Sequence, residues 1–316
     1  MVVITGASGL LGLALVDHFT ARKIPVTALY RRSKPSSHAY ISWLESDVTD
    51  VNALTQIFTG ANCVIHAAAL VSFARRHKEK MFQVNVEGTA NVVNACLRAG
   101  VKRLVHVSSV SALGKSPNQN IVNEESPWPG ASTPSHYGLT KYLAELEVHR
   151  GEAEGISVAV VNPSVILASI GLNRSSGQIF QYLKNGGIFY TEGSINYVDA
   201  RDVAEAVFRL YENTSLSGRY ILNSGSLPWK TFFEKVSTKL GRRAPYINVP
   251  SGITLFVAWF EQLRSIIMGG DPIITKETAN IARQYVSYSN EKAVSQLSMV
   301  FKDLDETLNW CLSKKT

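Results

Sequence analysis

Cysteine is scarce. Cys63, Cys96 and Cys311 are the three in 316 residues, far apart and without a C-x-x-C pair. That argues against a disulfide framework or a zinc site and fits buried thiols in a reducing compartment, with no metal expected. Long apolar runs are missing too. The most apolar stretch, Ile253 to Phe260, is broken by Glu261 and Arg264, far short of a membrane span. No stable membrane insertion is expected; the stretch reads as lobe core or a subunit contact, with a peripheral membrane face as the lesser alternative. A strand pattern that starts at Val2 leaves no place for a secretory leader, so a cytoplasmic protein is expected. Charge of one sign is not concentrated: 32 basic and 25 acidic residues give a net +7, scattered along the chain. The scatter speaks against nucleic acid as a partner, while the basic excess suits an anionic cofactor or substrate. Apolar content of 45% with 18% charged residues is that of an ordinary globular protein.

What is present begins at the first residues. Val2 to Ile4 form a short apolar run that ends in Gly6, Gly9 and Gly12, and a helical apolar pattern follows through Leu10, Leu11, Leu13, Ala14, Val16 and Phe19. A strand, glycine turn and helix place a pyrophosphate at a helix N-terminus, where free N–H groups and the helix dipole favour an anion. Gly6 serves the tight turn, Gly9 the approach of backbone to phosphate, and Gly12 the packing of helix on strand. The spacing is G-x-x-G-x-x-G, not G-x-G-x-x-G.

A second strand pattern, Pro25 to Tyr30, closes on Arg31-Arg32-Ser33-Lys34. The end of this strand is where dinucleotide sites read the adenine ribose; an acid there suits NAD, and arginine suits the 2′-phosphate of NADP. Trp43 to Val48 is a strand closing on Asp47, placed to face the adenine ring edge. Val51 to Phe58 reads as helix. Cys63 to Ala69 is a buried strand running into small residues, against which a flat cofactor can lie. His66 in that strand has no second ligand at metal spacing and reads as a packed or backbone-bonded histidine. Met81 to Cys96 has a helical pattern, Arg103 to Ser109 is a strand ending in hydroxyls, His136 to Glu145 is a helix, and Val158 to Pro163 is a further strand. The alternation predicts a parallel sheet with helices on both faces.

Beyond Ser164 the alternation fails. The expected architecture is α/β: a Rossmann-type doubly wound parallel sheet with a smaller, mainly helical C-terminal substrate lobe. Residues 1–164 and 197–225 would form the dinucleotide-binding domain, and residues 165–196 and 226–316 the lobe that closes over the sheet's carboxyl edge. Aromatic residues in the lobe (Phe180, Tyr182, Phe189, Tyr190) favour a ring-containing, fairly apolar substrate.

Tyr137 and Lys141 are four apart and share a helix face. A nearby cation stabilises phenolate and would lower the phenol's pKa toward neutrality, giving a usable acid/base. Ser108 and Ser109, at a strand end, can hydrogen-bond the same substrate oxygen.

At these residues the chain resembles the extended short-chain dehydrogenase/reductases. The resemblance rests on Thr5-Gly6-Ala7-Ser8-Gly9-Leu10-Leu11-Gly12, His66-Ala67-Ala68, Asn85-Val86-Glu87-Gly88-Thr89, Val107-Ser108-Ser109, Tyr137-Gly138-Leu139-Thr140-Lys141 and Asn162-Pro163-Ser164. Within that family it looks most like the branch of dihydroflavonol reductases and 3β-hydroxysteroid dehydrogenases. The resemblance implies that Tyr137 is the acid/base and that Lys141 holds the nicotinamide ribose and tunes Tyr137. Ser109, five before Gly114, rather than Ser108, would polarise the substrate oxygen, and Asn85 would support the lysine through water. It also implies a cofactor cradle of Gly6, Ser8, Gly9, Leu10, Leu11 and Gly12. Arg31, Asp47 and Val48 would lie at the adenosine, and Ala67, Ala68, Ala69, Tyr137, Lys141 and Pro163 along the rest. NADP(H) is favoured and NAD(H) possible. Helices 81–98 and 137–153 are where relatives pair, so a homodimer is expected.

Two departures lie in substrate territory. Leu167-Ala168-Ser169 follows Asn162-Pro163-Ser164 where relatives carry Gly-Pro, and Tyr197-Val198-Asp199-Ala200-Arg201-Asp202 replaces the usual His-Val-Asp-Asp. The first reading of function is an NADP(H)-dependent carbonyl reductase or alcohol dehydrogenase. The second is a nucleotide-sugar epimerase or dehydratase, in which Lys184 and Arg219 would face a diphosphate. The third is an idle dinucleotide-binding regulator, which would be expected to have lost Tyr137 or Lys141.

Overall fold

The computed structural model describes residues 1–36, 39–114, 121–128, 135–169, 177–250, 277, 280 and 282–313. The apolar stretch 253–260 lies outside the described residues. The first half runs β1 (Val2–Thr5), α1 (Leu10–Ala21), β2 (Val26–Tyr30), β3 (Ile41–Glu45), α2 (Val51–Phe58), β4 (Cys63–His66) and α3 (Lys78–Phe82). A π-turn (Gln83–Glu87), α4 (Gly88–Ala99), β5 (Arg103–Val107), β6 (Ile121–Val122), α5 (His136–Ala153) and β7 (Ser157–Pro163) follow. Then come β8 (Val165–Leu167), α6 (Gly177–Lys184), β9 (Phe189–Tyr190), β10 (Ser194–Asp199), α7 (Ala200–Glu212), β11 (Gly218–Leu222) and β12 (Gly225–Pro228). The chain closes with α8 (Trp229–Leu240), β13 (Ile247–Asn248), β14 (Ser287–Tyr288), α9 (Glu291–Leu297) and α10 (Leu304–Ser313).

Seven parallel strands form the main sheet in the order β3-β2-β1-β4-β5-β7-β11. Its inner strands are buried on both faces, which is why Val2–Thr5 and Cys63–His66 read as unbroken runs rather than alternating ones. One face packs Leu15 and Phe19 of α1 with Val203 and Val207 of α7 and Leu297 of α9. The other packs Leu54 and Phe58 of α2 with Val92 and Val93 of α4 and Val148 of α5. Helix α9 falls in the 226–316 stretch assigned to the lobe, so the chain returns to the main sheet before it ends. Order reverses between β1 and β4: the chain first builds outward through β2 and β3, then crosses back. Open α/β sheets bind their ligands at the carboxyl edge of that switch point.

A smaller three-stranded sheet, β12-β10-β8, carries a separate apolar cluster of Phe180, Leu183, Phe232, Val236 and Leu308. On the outer edge of β11, the Glu124 carboxylate accepts the Ile221 N–H at 2.8 Å, blunting an exposed strand edge. None of the described helices is long and apolar enough to cross a membrane.

The helix expected over 81–96 contains a π-turn at 83–87, which periodicity does not reveal. It falls where Asn85 turns inward: its amide grips both backbone groups of Leu70, at 2.7 and 2.9 Å, and reaches Thr140 at 3.0 Å. π-turns insert one residue to re-aim a side chain and recur at functional sites.

Candidate active site

The carboxyl ends of β1 to β4 enclose a cleft of about 200 Å³ lined by Gly6, Ser8, Gly9, Arg31, Asp47, Val48, Ala67, Ala68 and Ala69, with Thr5, Leu29, Tyr30, Ser46 and Val84. Nine residues named for the cofactor from sequence therefore meet in one place. Leu11 and Gly12 do not line it; they are buried in the first turn of α1. Gly12 acts from behind, since a Cβ there would lie 2.1 Å from the Gly6 carbonyl oxygen. Gly6 has φ +66°, and its Cβ would meet Ala68 Cα at 2.6 Å. The two glycines thus let α1 and the β4 end close on the same turn. Gly9 is the N-cap of α1, which has neither a side-chain cap nor an acid in its first turn. That leaves the helix end and its dipole facing the cleft.

The strand register sets the floor of the cleft. Thr5 pairs with His66 across β1 and β4, and the hydroxyl meets His66 Nδ1 at 2.7 Å while accepting the Ala68 N–H at 3.3 Å. His66 Nε2 meets Thr89 Oγ1 at 3.0 Å, and Thr89 donates to the Asn85 carbonyl at 2.6 Å. The directions are forced: Thr89 has given its proton away, so His66 carries hydrogen on Nε2 and accepts Thr5 at Nδ1. Burial pushes His66 down to about 3, helped by the charge of Lys141, so the ring stays neutral. The packed histidine expected from sequence is bonded to side chains rather than backbone.

At the adenosine end Arg31 lies 3.6 Å from Asp47, with side chains 44% and 32% exposed. Hydrogen bonds from the backbone and side chain of Thr49, together with the charge of Arg31, hold the Asp47 carboxyl below its usual range against the opposing effect of burial. Both side chains line the cleft, the acid beside the guanidinium.

Tyr137, Lys141 and Ser109 gather at the carboxyl end of β5, the next strand along the same edge after β4. Ser135 caps α5 by accepting the Gly138 N–H at 2.9 Å, which starts the helix just before Tyr137. Gly138 had no role in the sequence reading. A Cβ on it would sit 2.5 Å from the Ser111 carbonyl, so glycine lets α5 approach the Ser109 turn. Ser109 lies close enough to Tyr137 to pull its pKa down, its Oγ accepting the Ser111 N–H at 3.1 Å, while Phe73 and the tyrosine ring meet edge-to-face at 6.2 Å. Ser108 Oγ is buried without a partner among the described residues, as is Ser164 Oγ beyond β7.

One expectation is corrected here. Burial pushes the Tyr137 phenol up to about 12, offset only in part by the nearby Ser109. Lys141 does not lower it: Nζ donates to the Val107 carbonyl at 2.8 Å and lies 3.5 Å from His106 Nε2. Burial in turn pushes Lys141 down to about 8, with Glu145 pulling it back up. His106 lies well below its ordinary value because it is buried beside Lys141 and His66. Asn85 meets Thr140, the residue before Lys141. Pro163 is buried where β7 pairs with β11 at Leu222. Arg219 turns inward to Glu145 at 2.7 Å instead of facing a diphosphate, and Lys184 is exposed at the end of α6.

The glycine turn, the open end of α1, the alanine floor and the unpartnered buried hydroxyls of Ser108 and Ser164 fit a dinucleotide laid along this edge. A sequence model of the NAD dependent epimerase/dehydratase family matches residues 2–223. The chain belongs to that family. It is an NAD(P)-dependent enzyme of the extended short-chain dehydrogenase/reductase type. It is 28% identical over 314 residues to a putative dihydroflavonol 4-reductase of Synechocystis sp., covering 96% of this chain and 91% of that one. It is 32% identical over 241 residues to cinnamoyl-CoA reductase 1 of Oryza sativa subsp. japonica, covering 70% of each. Among solved structures, gox2253 matches with a TM-score of 0.85 at 25% identity over 99% of this chain and 97% of that one. The yeast methylglyoxal/isovaleraldehyde reductase Gre2 with NADPH shares the fold, with a TM-score of 0.74 at 17% identity over 99% and 97%.

Proposed function

We propose that the protein is an NADP(H)-dependent carbonyl reductase or alcohol dehydrogenase acting on a ring-containing, fairly apolar ketone or alcohol. The observation that carries this reading is the placing of Ser109 beside Tyr137 at the sheet edge, with Gly138 letting α5 approach the Ser109 turn and a phenol held protonated by burial. Bound nicotinamide supplies or accepts the hydride. Ser109 and Tyr137 then hold the substrate oxygen between two hydroxyl donors, and Tyr137 delivers its proton as negative charge grows on that oxygen. Lys141, seated on the Val107 carbonyl one turn along α5, is assigned to the nicotinamide ribose. Phe73 shields the phenol from water on the side it covers. Dihydroflavonol and cinnamoyl-CoA reductases among the relatives support the reductive direction.

Arg31 supports NADP(H) over NAD(H), since it offers a bidentate donor at the 2′ position. We take residues 1–164 and 197–225, joined by α9 on their sheet, as the cofactor side, and residues 165–196 with the remainder of 226–316 as the substrate lobe. We also infer a homodimer through α4 and α5, beside which Phe82, Leu139 and Leu146 stay exposed; light scattering after gel filtration should give twice the chain mass.

The test combines cofactor titration with turnover. NADPH should bind more tightly than NADH, and a panel of aryl and alicyclic ketones should include at least one reduced with NADPH. Equal or tighter NADH binding rejects the Arg31 reading. Turnover of nucleotide sugars without net NADPH consumption, and of no ketone, rejects the reductase.

A further inference from the structure

Glu145 stands on α5 one turn beyond Lys141 and two turns beyond Tyr137, so the three share a helix face. It is 0% exposed. A buried carboxylate is tolerated only when paired and hydrogen-bonded, and both its oxygens are taken. Oε1 accepts from Asn162 Nδ2 at 2.7 Å, and Oε2 pairs with Arg219 Nε at 2.7 Å. Asn162 Nδ2 donates its second hydrogen to the Ser109 carbonyl at 3.0 Å. One carboxylate thus joins β7 and β11 to the turn that carries Ser109 beside Tyr137.

Buried one helical turn from Lys141 on the same face, the same carboxylate pulls that ammonium's pKa up against its burial. Among the described residues, the other groups that meet or act on that ammonium are uncharged: the Val107 carbonyl and His106 on β5, and His66 on β4. Arg219 on β11 adds a second cation, its side chain 24% exposed, where water screens it.

We propose that Glu145 is a positioning residue of the active site, supplying the negative charge that balances Lys141 and, through Asn162, setting Ser109 against Tyr137. The kinetic part rests on the roles given to those three residues under the reductase reading. The charge balance does not, and is measured without substrate. A partner serving only Arg219 would give the same two hydrogen bonds and leave Lys141 indifferent.

The experiment is an NMR titration of ε-¹³C-lysine-labelled protein, with Lys141 assigned by its loss in Lys141→Arg. In Glu145→Gln the Lys141 midpoint should fall by about one pH unit, the scale set by a nearby charge. In Asn162→Ala it should stay where it is in the wild type. Where Glu145→Gln does not fold, the Glu145→Gln/Arg219→Gln double variant strands no charge and carries the same expectation. An unchanged midpoint in either overturns the charge-balancing role. In ketone reduction, Glu145→Gln should lower kcat about tenfold at constant KM and move the alkaline limb of the pH profile to lower pH, the scale of roughly one pKa unit of lost balance. Asn162→Ala should lower kcat without moving the limb, and wild-type kcat in that variant overturns the Ser109 link. Absence of ketone turnover in the wild type defeats the reductase reading while leaving the midpoint test intact.

Discussion

At the β2–β3 end of the sheet's carboxyl edge, Arg31 and Asp47 meet at 3.6 Å with side chains 44% and 32% exposed, whereas at the β5–β7 end Lys141 and Glu145 are 2% and 0% exposed. Water screens the first pair, so its charges alter the fold little, and under the proposed function they select the ligand. The second set sits where water is excluded. There desolvation drives Tyr137 up to about 12 and Lys141 down to about 8, and each charge depends on a named partner. Selection and chemistry are thus placed in different dielectric surroundings along one edge. Electrostatic interactions of equal geometry are far stronger at the dry end, and breaking one there strands a buried charge.

The strongest challenge to that contrast is Tyr137→Phe. It removes the proton donor and keeps the ring against Phe73, so ketone turnover should fall about 10³-fold, within the range for general acid catalysis. NADPH affinity should stay within about twofold, measured by fluorescence titration. A mutant with wild-type turnover defeats the mechanism.

Next in size is Gly12→Ala. The added Cβ would lie 2.1 Å from the Gly6 carbonyl, so stability in urea should drop by about 2–3 kcal/mol through overpacking. If stability holds and cofactor still binds, Gly12 does not serve close packing.

Acid stability sharpens the comparison at the buried end. His66 is held at about 3 against an ordinary 6.5, so between those values the unfolded chain binds a proton that the folded chain refuses. Stability is therefore greatest above pH 6.5 and falls as pH drops through that window, at up to about 1.4 kcal/mol per unit for this group. His66→Gln should reduce the slope of melting temperature against pH over this range. An unchanged slope means that other groups dominate.

The smallest effect belongs to the exposed end. Arg31→Gln should weaken NADPH about tenfold and leave NADH within twofold, with the difference shrinking as salt is raised. An equal loss for both cofactors means that Arg31 shapes the cleft rather than reading the 2′ position.

Much of this was legible in the residues. The glycine turn, the apolar strands and the Tyr137–Lys141 spacing express rules that act within about ten residues, and the cleft gathers nine of the side chains they point to. The π-turn was not legible, because the apolar pattern of 81–96 tolerates one inserted residue. Nor was the direction of the Tyr137 shift: spacing puts a lysine on the same face but does not say that Val107 takes its protons. Gly138 and Glu145 stood in view beside the tyrosine, and only their neighbours across the fold gave them roles.

The sequence by itself therefore determined the order of the main-sheet strands and their helices up to Pro163 and the residue types at the cofactor turn, since these follow from local periodicity and backbone sterics. The tertiary structure alone decided which way the buried protons lie and which carboxylate faces which cation. Thr5 to His66 spans 61 residues, Glu145 to Asn162 spans 17 and Glu145 to Arg219 spans 74. Such contacts are made by strand register and helix packing, and it is the exclusion of water around them that gives each charge its weight.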